Sequence, residues 1–288
     1  MAATVFERGT TLIGGRPFHW GRRTYVMGVI NVTPDSFSQD GIYGDVDAAV
    51  QRALQLEEWG ADIIDVGGES TRPPAVYAGS QPLSAAEELS RVVPVIEAMS
   101  RRVRVPISID SYKARVAEAA LDAGAHMVND VWGLRRDPDM AALAASRGVP
   151  VVIMHNREGG AYADVVAEVV GALERAVDDA ARAGISRDGI IVDPGMGFGG
   201  KTAEDNLEIL RRLHAFRALG RPLLVGMSRK ATIGAVLGLP IDQRLEGTAA
   251  TVALSIAGGA DIVRVHDVRE MVRVARMSDA VVRGWRRE

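Results

Sequence analysis

The amino-acid sequence predicts an α/β protein built as a (β/α)8 TIM barrel, and three observations lead to that prediction. Eight short apolar runs, rich in Val and Ile, alternate with helix-patterned segments along the 288 residues. Each run is apolar at consecutive positions, which is typical of strands buried on both faces of a parallel sheet. Every run ends in polar residues, as expected where barrel strands lead into an active site. A doubly wound open sheet is the alternative, and eight strand-helix units favour the barrel.

The predicted strands follow one another through the chain. They are the runs YVMGVI, ADIIDV, VPISI, HMVND, VPVVIM, GIIVD, PLLVGM and ADIVRV. Before them, Gly14 and Gly15 separate two β-like runs, which predicts an N-terminal β-hairpin within residues 1–23. No linker or change of composition divides the remainder, so we expect a single domain over residues 1–288 with the barrel in residues 24–288.

The segments between the strands have helical periodicity. In DVDAAVQRALQLEEWGA, apolar residues such as Val46, Val50 and Leu54 recur at helical spacing. Ser84 is followed three residues later by Glu87, a capping-box pattern that predicts the start of a helix. Four helical segments end in a Gly-Ala or Ala-Gly pair directly before a strand, where glycine permits the left-handed turn that ends a helix.

Composition excludes several classes of function. The formal net charge of −3 gives no general electrostatic reason to bind nucleic acid or an anionic membrane. The chain has no cysteine, which excludes disulfides, thiolate nucleophiles and cysteine-ligated zinc. It has no apolar run of about 18 residues that could span a membrane, and its first residues do not read as a signal peptide. We therefore expect a cytoplasmic protein that acts on small molecules.

Polar residues at the strand ends are the candidates for a functional site, because the loops after barrel strands form the active site. In chain order the candidates are Asn31, Thr71, Arg72, Asp110, Asn129, His155, Asp193, Lys230, Arg264 and His266. A single Asp or Asn after a strand is often only a helix cap. Polar ends on all eight strands, several of them charged, indicate a shared site.

The residue types at these positions indicate the chemistry of the ligand. The cations Arg72, Lys230 and Arg264 would bind an anion, most naturally phosphate. Asn31 offers an oxygen to a Mg²⁺ ion that also holds phosphate oxygens. Deeper in the barrel, carboxylates such as Asp110 would accept parallel N–H bonds from a flat heterocycle. No Ser-His-Asp order, HExxH spacing or dinucleotide fingerprint is present.

For five polar residues, including the candidate His155, the sequence leaves a structural role open beside a functional one. His155 follows a buried strand and fits a core histidine, and His126 precedes a strand at the other end of the barrel. Asp130 fits a helix cap as well as a ligand contact. Glu69 fits an orienting role, and Arg229 fits an ion pair with a nearby carboxylate.

Nine motifs in order resemble the dihydropteroate synthase family, the folate-pathway enzymes that sulfonamides target. They are MGVINVTPDSFS, DIIDVGGESTRP, ISIDSYKARVAEAAL, NDVWG, VVIMH, DPGMGFGGK, VGMSRKATIG, EGTAAT and IVRVHDV. The resemblance implies a (β/α)8 barrel, usually a homodimer. It also implies the condensation of 6-hydroxymethyl-7,8-dihydropterin diphosphate with 4-aminobenzoate, with release of pyrophosphate in the presence of Mg²⁺.

The resemblance further implies a role for each candidate residue, grouped here by ligand. The pterin is held or enclosed by Thr71, Asp110, Asn129, Met154, Asp193, Phe198, Gly226, Lys230 and Arg264. The diphosphate is bound by Asn31, Thr71, Arg72, Arg264 and His266, and Asn31 is the metal ligand. The aminobenzoate slot is lined by Phe37, Thr71, Pro73 and Lys230. The catalytic residues are Asp110, Asp193, Lys230, Arg264 and His266.

Departures from the family pattern and two alternatives remain at this stage. Pro74 begins a loop longer than the usual one beside the aminobenzoate slot, and Ala231 replaces a frequent serine after the SRK lysine. A methyltetrahydrofolate-corrinoid methyltransferase shares the pterin-binding barrel but needs no diphosphate site, so the SRK, RVH and ESTRP motifs argue against it. A non-catalytic pterin-binding paralogue would be marked by loss of Asn31, Arg72 or Lys230, and all three are present.

Overall fold

A computed structural model describes residues 9–33, 45–69 and 83–285. Within these residues, an antiparallel two-stranded hairpin precedes an eight-stranded parallel sheet that is surrounded by helices. No helix in the described part of the chain combines the length and the apolar character that a membrane crossing requires.

The strands and helices alternate as the sequence predicts. The hairpin consists of β1 (Thr10–Ile13) and β2 (Arg16–His19). The barrel strands are β3 (Tyr25–Asn31), β4 (Ile63–Gly67), β5 (Ile107–Asp110), β6 (Met127–Asp130), β7 (Val151–Met154), β8 (Ile190–Asp193), β9 (Leu224–Val225) and β10 (Ile262–Val265). The α-helices are α1 (Val46–Glu58), α2 (Ala85–Ser100), α3 (Ala114–Asp122), α4 (Met140–Arg147), α5 (Val165–Arg182), α6 (Ala203–Arg211), α7 (Ala231–Leu237), α8 (Leu245–Gly258) and α9 (Val268–Val282).

The parallel strands form a ring. Their order is β8-β7-β6-β5-β4-β3-β10-β9, with parallel pairing at each step. The last gap is bridged where Val192 of β8 pairs with Leu223, and the Val192 N–H donates to the Pro222 carbonyl at 2.9 Å. The barrel prediction is confirmed, and the doubly wound open sheet is excluded.

The predicted helix signals are present in the structure. The Ser84 hydroxyl accepts from the Glu87 backbone N–H at 3.2 Å, and the Glu87 carboxylate accepts from the Ser84 backbone N–H at 3.2 Å, which completes the capping box. At the four predicted Gly-Ala or Ala-Gly helix ends, the glycine φ lies between +98° and +111°. That left-handed conformation lets the chain leave the helix and enter the next strand.

Two elements differ from the sequence prediction. The segment AEDNLEILRRLHAFRALG is not one helix, because α6 ends at Arg211 and a 3-10 helix follows over Leu213–Leu219. Leu213 and Phe216 are both buried, and a spacing of three places them on one face of a helix with three residues per turn. The predicted seventh barrel strand is also shorter than its apolar run, since β9 contains only two residues.

Side chains alternate along each strand between the barrel interior and the surrounding helices. At the amino end of the barrel, the interior is filled by an apolar cluster that includes side chains of the hairpin. Its members are Ile13, Phe18, Trp20, Tyr25, Met27, Ile63, Met127, Val152, Ile191, Leu224 and Ile262. Two residues further along a strand, the next inward position is polar. Asp65 follows Ile63 in this way, and Arg264 follows Ile262. The hairpin therefore closes the amino end of the barrel, and the polar residues face the carboxyl end.

Candidate active site

A buried ionic cluster centred on Arg264 occupies the interior at the carboxyl end of the barrel. Arg264 Nε donates to Asp65 Oδ2 at 2.6 Å, and Arg264 Nη2 donates to Asp110 Oδ2 at 2.6 Å. Asn129 Nδ2 donates to the same Asp65 oxygen at 3.0 Å. These four residues come from β10, β4, β5 and β6, so the cluster joins side chains from four strands.

Burial perturbs the ionisation of these groups. It raises the pKa of Asp110 to about 7, against the attraction of Arg264 and with a further contribution from Asp65. Burial also raises the pKa of Asp193 to about 6, opposed first by its hydrogen bond from the Gly195 N–H and then by the charge of Lys230. Burial alone would lower the pKa of Arg264, but the carboxylates beside it outweigh that effect and leave the pKa raised.

Three buried oxygen atoms in this interior have no hydrogen-bond partner among the described residues: Asp65 Oδ1, Asp110 Oδ1 and Ser108 Oγ. Buried polar atoms are normally paired, so each unpaired one requires an explanation. A carboxylate oxygen can only accept, and it therefore suits a ligand that presents N–H donors. Recognition of a flat nitrogen heterocycle by Asp110 stays a prediction, and its unpaired Oδ1 is the atom that would carry it.

Another wall of the site is formed by residues that end or follow β7, β8 and β9. Lys230 Nζ lies 4.2 Å from the centre of the Phe198 ring. Met154 is buried and pairs in register with Asp193 across β7 and β8. At Gly226 a Cβ atom would meet only the Cβ of Arg264, at 3.8 Å, so the protein itself leaves room there.

His266 follows β10 and is coupled to Ser228, which follows β9. The Ser228 hydroxyl lies 3.0 Å from His266 Nδ1 and also accepts from the His266 backbone N–H at 3.2 Å. Beside them, Arg229 donates to both carboxylate oxygens of Asp267, at 3.0 and 2.5 Å. The ion pair that the sequence allowed for Arg229 is therefore present.

The other residues with an open structural role also have structural partners. His126 Nδ1 accepts from the Ile107 backbone N–H at 3.1 Å. Asp130 accepts from the backbone N–H groups of Trp132 and Leu134, at 2.7 and 2.9 Å. Glu69 forms an ion pair with Lys113. His155 is buried, and its Nδ1 lies 3.0 Å from Lys201 Nζ.

Sequence reasoning missed two buried charged residues of this region. Asp65 lies within β4 and not at its end, so an inspection of strand ends alone passed over it; its alternation with Ile63 was the available signal. Lys201 lies in the glycine-rich segment after β8, where no periodicity indicates which way a side chain points. Four predicted site residues, Phe37, Thr71, Arg72 and Pro73, lie outside the described residues.

Among the described residues, the ability of the site to hold a metal ion depends on Asn31. Among the residues that the structure describes, no group of three or more His, Cys, Asp or Glu side chains is placed to hold a metal. Asn31 is half-buried at the end of β3, where its amide oxygen can serve as one ligand. Mg²⁺ commonly takes one or two protein oxygens and completes its shell with water and substrate phosphates. The donor set therefore fits Mg²⁺ that is carried by a diphosphate.

Together, a parallel barrel and a buried acid, amide and arginine cluster at its carboxyl end define an enzyme-type barrel with a site for a small polar heterocycle. The chain belongs to the family described as "Pterin binding enzyme", whose model matches residues 27–266. It is 48% identical over 272 residues to a dihydropteroate synthase of Clostridium beijerinckii, covering 94% of this chain and 99% of the relative.

Solved structures agree with this assignment. A dihydropteroate synthase from Clostridium difficile, crystallised in the presence of pteroic acid, superposes with a TM-score of 0.85 at 48% identity, covering 92% of this chain and 98% of that one. The Xanthomonas albilineans dihydropteroate synthase with 4-aminobenzoic acid superposes with a TM-score of 0.87 at 42% identity. The match covers 94% of this chain and 97% of that one.

Proposed function

We propose that this protein condenses 6-hydroxymethyl-7,8-dihydropterin diphosphate with 4-aminobenzoate to form 7,8-dihydropteroate and pyrophosphate, in folate biosynthesis. The observation that carries the proposal is the unpaired, buried Asp110 Oδ1 beside Arg264 and Asn129. It supplies a buried acceptor for the N–H groups of a pterin. The proposal includes a cytoplasmic location, because the substrates are biosynthetic intermediates.

In the proposed reaction the C–O bond between the pterin methylene and the diphosphate breaks, and a C–N bond to the arylamine forms. The diphosphate leaves with the bonding electrons, and the nitrogen then loses a proton. Asp193, with a pKa of about 6, is mostly ionised at neutral pH and favours positive charge on the dihydropterin. The arylamine is already neutral at that pH, so the reaction requires no strong general base.

The diphosphate side combines Arg264 and His266 with Asn31, and with Thr71 and Arg72, which lie outside the described residues. Cations close to the leaving group lower the barrier by stabilising the negative charge that it gains. When bound, Mg²⁺ adds the same kind of charge stabilisation at the phosphate oxygens. Asn31→Ala should raise the Mg²⁺ concentration needed for half-maximal rate, whereas Asn156→Ala should leave that concentration unchanged.

Pyrophosphate release by the purified protein tests the function. It is measured with the pterin diphosphate and Mg²⁺, with and without 4-aminobenzoate. Release that depends on 4-aminobenzoate and is lost in Lys230→Ala and Arg264→Ala supports the proposal, with the exposed Arg136→Ala as a control. Tight pterin binding without release would indicate a non-catalytic paralogue. Methyl transfer from a methylated folate would indicate the methyltransferase.

The proposal also includes a homodimer formed through α7, α8 and α9. Among the described residues, most exposed large apolar side chains lie on or beside these helices: Val236, Leu237, Leu245, Leu254, Met277, Val281 and Trp285. Apolar surface that is concentrated in this way is typical of a protein interface. In light scattering, Met277→Glu with Val281→Glu should convert the dimer to a monomer. Leu12→Glu, at an equally exposed apolar residue of the hairpin, should not.

A further inference from the structure

The segment that begins at the last residue of β8, residues 193–201, carries two residues of the predicted pterin site and has an irregular backbone. We call it the β8 loop. It contains Asp193 and Phe198, and its four glycines, at 195, 197, 199 and 200, all have φ between +67° and +76°. Glycine adopts this conformation readily and leaves the segment many alternatives. The observed conformation must therefore be held by contacts from outside the glycines.

Lys201 supplies the largest set of these contacts. Its ammonium group lies 3.0 Å from the Gly195 carbonyl oxygen, 2.9 Å from the Phe198 carbonyl oxygen and 3.0 Å from His155 Nδ1. An ammonium group has three N–H donors and no acceptor, so these three partners account for all of its hydrogen-bonding capacity. Lys201 is 9% exposed, and burial lowers its pKa to about 7.

His155 connects this lysine to the barrel wall. The His155 backbone N–H donates to the Asp193 carbonyl at 2.9 Å, which continues the pairing of β7 with β8. The His155 carbonyl lies so close to the loop that a Cβ at Gly195 would stand 2.0 Å from it. Burial lowers the pKa of His155 to about 3, so its ring is neutral and Nδ1 can accept from Lys201.

The two carbonyls bound by Lys201 flank the aromatic residue of the pterin site. The Phe198 carbonyl is part of that residue itself, and the Gly195 carbonyl also accepts from the Phe198 backbone N–H at 3.0 Å. Both peptide groups therefore fix where the Phe198 ring lies beneath Lys230. Without the ammonium group, both buried carbonyls would lose a hydrogen-bond donor, and an unmet hydrogen bond of a buried group is costly.

From this geometry we propose that Lys201 is a positioning residue for the pterin half of the site, and that it acts by holding the β8 loop against His155. Among the described residues, the hydrogen-bond partners of the Lys201 ammonium group are two loop carbonyls and the His155 ring, so we assign it no direct contact with the reacting atoms. The inference rests on the proposed function only for the identity of the ligand. It predicts a change in affinity for the pterin without a matching change for 4-aminobenzoate.

The first test compares Lys201→Met with Lys113→Met. Methionine keeps an unbranched side chain of similar length and removes every donor. Lys113 is also largely buried, where it bridges Glu69 and Glu88, so its replacement controls for the loss of a buried lysine. Calorimetry with 6-hydroxymethylpterin, which has no diphosphate, should show affinity reduced at least about tenfold by Lys201→Met, or roughly 1.4 kcal/mol. Lys113→Met should change it by less than about twofold.

Steady-state kinetics separate positioning from general damage. For Lys201→Met the KM for the pterin diphosphate should rise with little change in kcat, and the KM for 4-aminobenzoate should stay the same. A folded Lys201→Met protein that binds the pterin as tightly as the unaltered protein would overturn the inference. The proposed function is judged separately, by whether the unaltered protein releases pyrophosphate.

If Lys201→Met does not fold, a second pair of variants tests the role of the Lys201–His155 contact in pterin binding. Asparagine at position 155 places a side-chain acceptor close to that of His155 Nδ1, whereas leucine places none. His155→Asn should therefore retain most of the pterin affinity, and His155→Leu should lose it. Equal pterin affinities of these two variants would contradict a role for the Lys201–His155 contact.

Discussion

Replacing Asp65 with asparagine removes a buried charge and keeps the shape of the side chain. Asp65 Oδ2 accepts from Arg264 Nε at 2.6 Å and from Asn129 Nδ2 at 3.0 Å, and the side chain is fully buried. A hydrogen bond to a charged group contributes about 1.5–3 kcal/mol. Because Arg264 keeps Asp110 as a partner, we expect Asp65→Asn to lower the free energy of unfolding by roughly 2 kcal/mol.

The same change should alter the ionisation of Asp110. The negative charge of Asp65 helps to raise the pKa of Asp110 to about 7, and Arg264 lowers it. Without the Asp65 charge, the pKa of Asp110 falls. The ionised carboxylate accepts pterin N–H bonds, so the contribution of Asp110 to pterin affinity should rise as the pH increases through about 7. In Asp65→Asn that rise should occur at lower pH. Lys201, with a pKa of about 7, is present in both proteins, so the difference between their pH profiles reports on Asp110.

Urea unfolding measures the loss of stability in Asp65→Asn. Calorimetric pterin titrations between about pH 5.5 and 8.5 measure the change in the pH dependence of pterin affinity. Asp62→Asn is the control, because Asp62 pairs with Arg23 near the amino end of the barrel. Arg23 is 53% exposed, and a pair of this kind contributes only about 0.2–1 kcal/mol. If Asp65→Asn unfolded at the same urea concentration as the unaltered protein and kept its pH profile, the assigned role of Asp65 would be refuted.

Three further predictions concern other parts of the molecule. Gly226→Ala should fold normally, since only Arg264 Cβ lies within 4 Å of the added atom, yet it should abolish pterin binding in calorimetry; retained binding would move the pterin elsewhere. The pKa of His155 is about 3 in the folded protein, against an ordinary value of 6.5. The free energy of unfolding should therefore be highest above pH 6.5, and below it should fall by up to about 1.36 kcal/mol for each pH unit. His155→Asn should reduce this slope in urea titrations, and an unchanged slope would contradict it. Trp20→Ala should remove about 3–5 kcal/mol of stability and leave the KM for 4-aminobenzoate unchanged, because Trp20 lies at the closed end; a raised KM would be inconsistent with that location.

The fold was predictable because its signals are local. Apolar runs, a capping box at Ser84 and glycines at helix ends each depend on a few neighbouring residues, and they determine the order of strands and helices. The break after Arg211 was not predictable in the same way. There the burial of Leu213 and Phe216 against the rest of the protein outweighs a helical pattern that continues through the segment.

The candidate site was predictable where its residues end strands and unpredictable where they do not. Asp110, Asn129 and Asp193 are the last or next-to-last residues of their strands, so the barrel hypothesis alone brings them together. Lys201 meets His155 across 46 residues of chain, at a distance that depends on how β7 and β8 pair. No spacing in the sequence reports that contact.

The N-terminal hairpin determines the end of the barrel at which ligands enter and leave. With Phe18 and Trp20 packed across the amino end of the barrel, nothing in the described residues offers a passage through the interior. Both substrates must therefore arrive, and both products must depart, at the end where the polar residues lie. A product that spans the two pockets would exclude both substrates, and the rate of its departure would limit how soon the next pterin can enter.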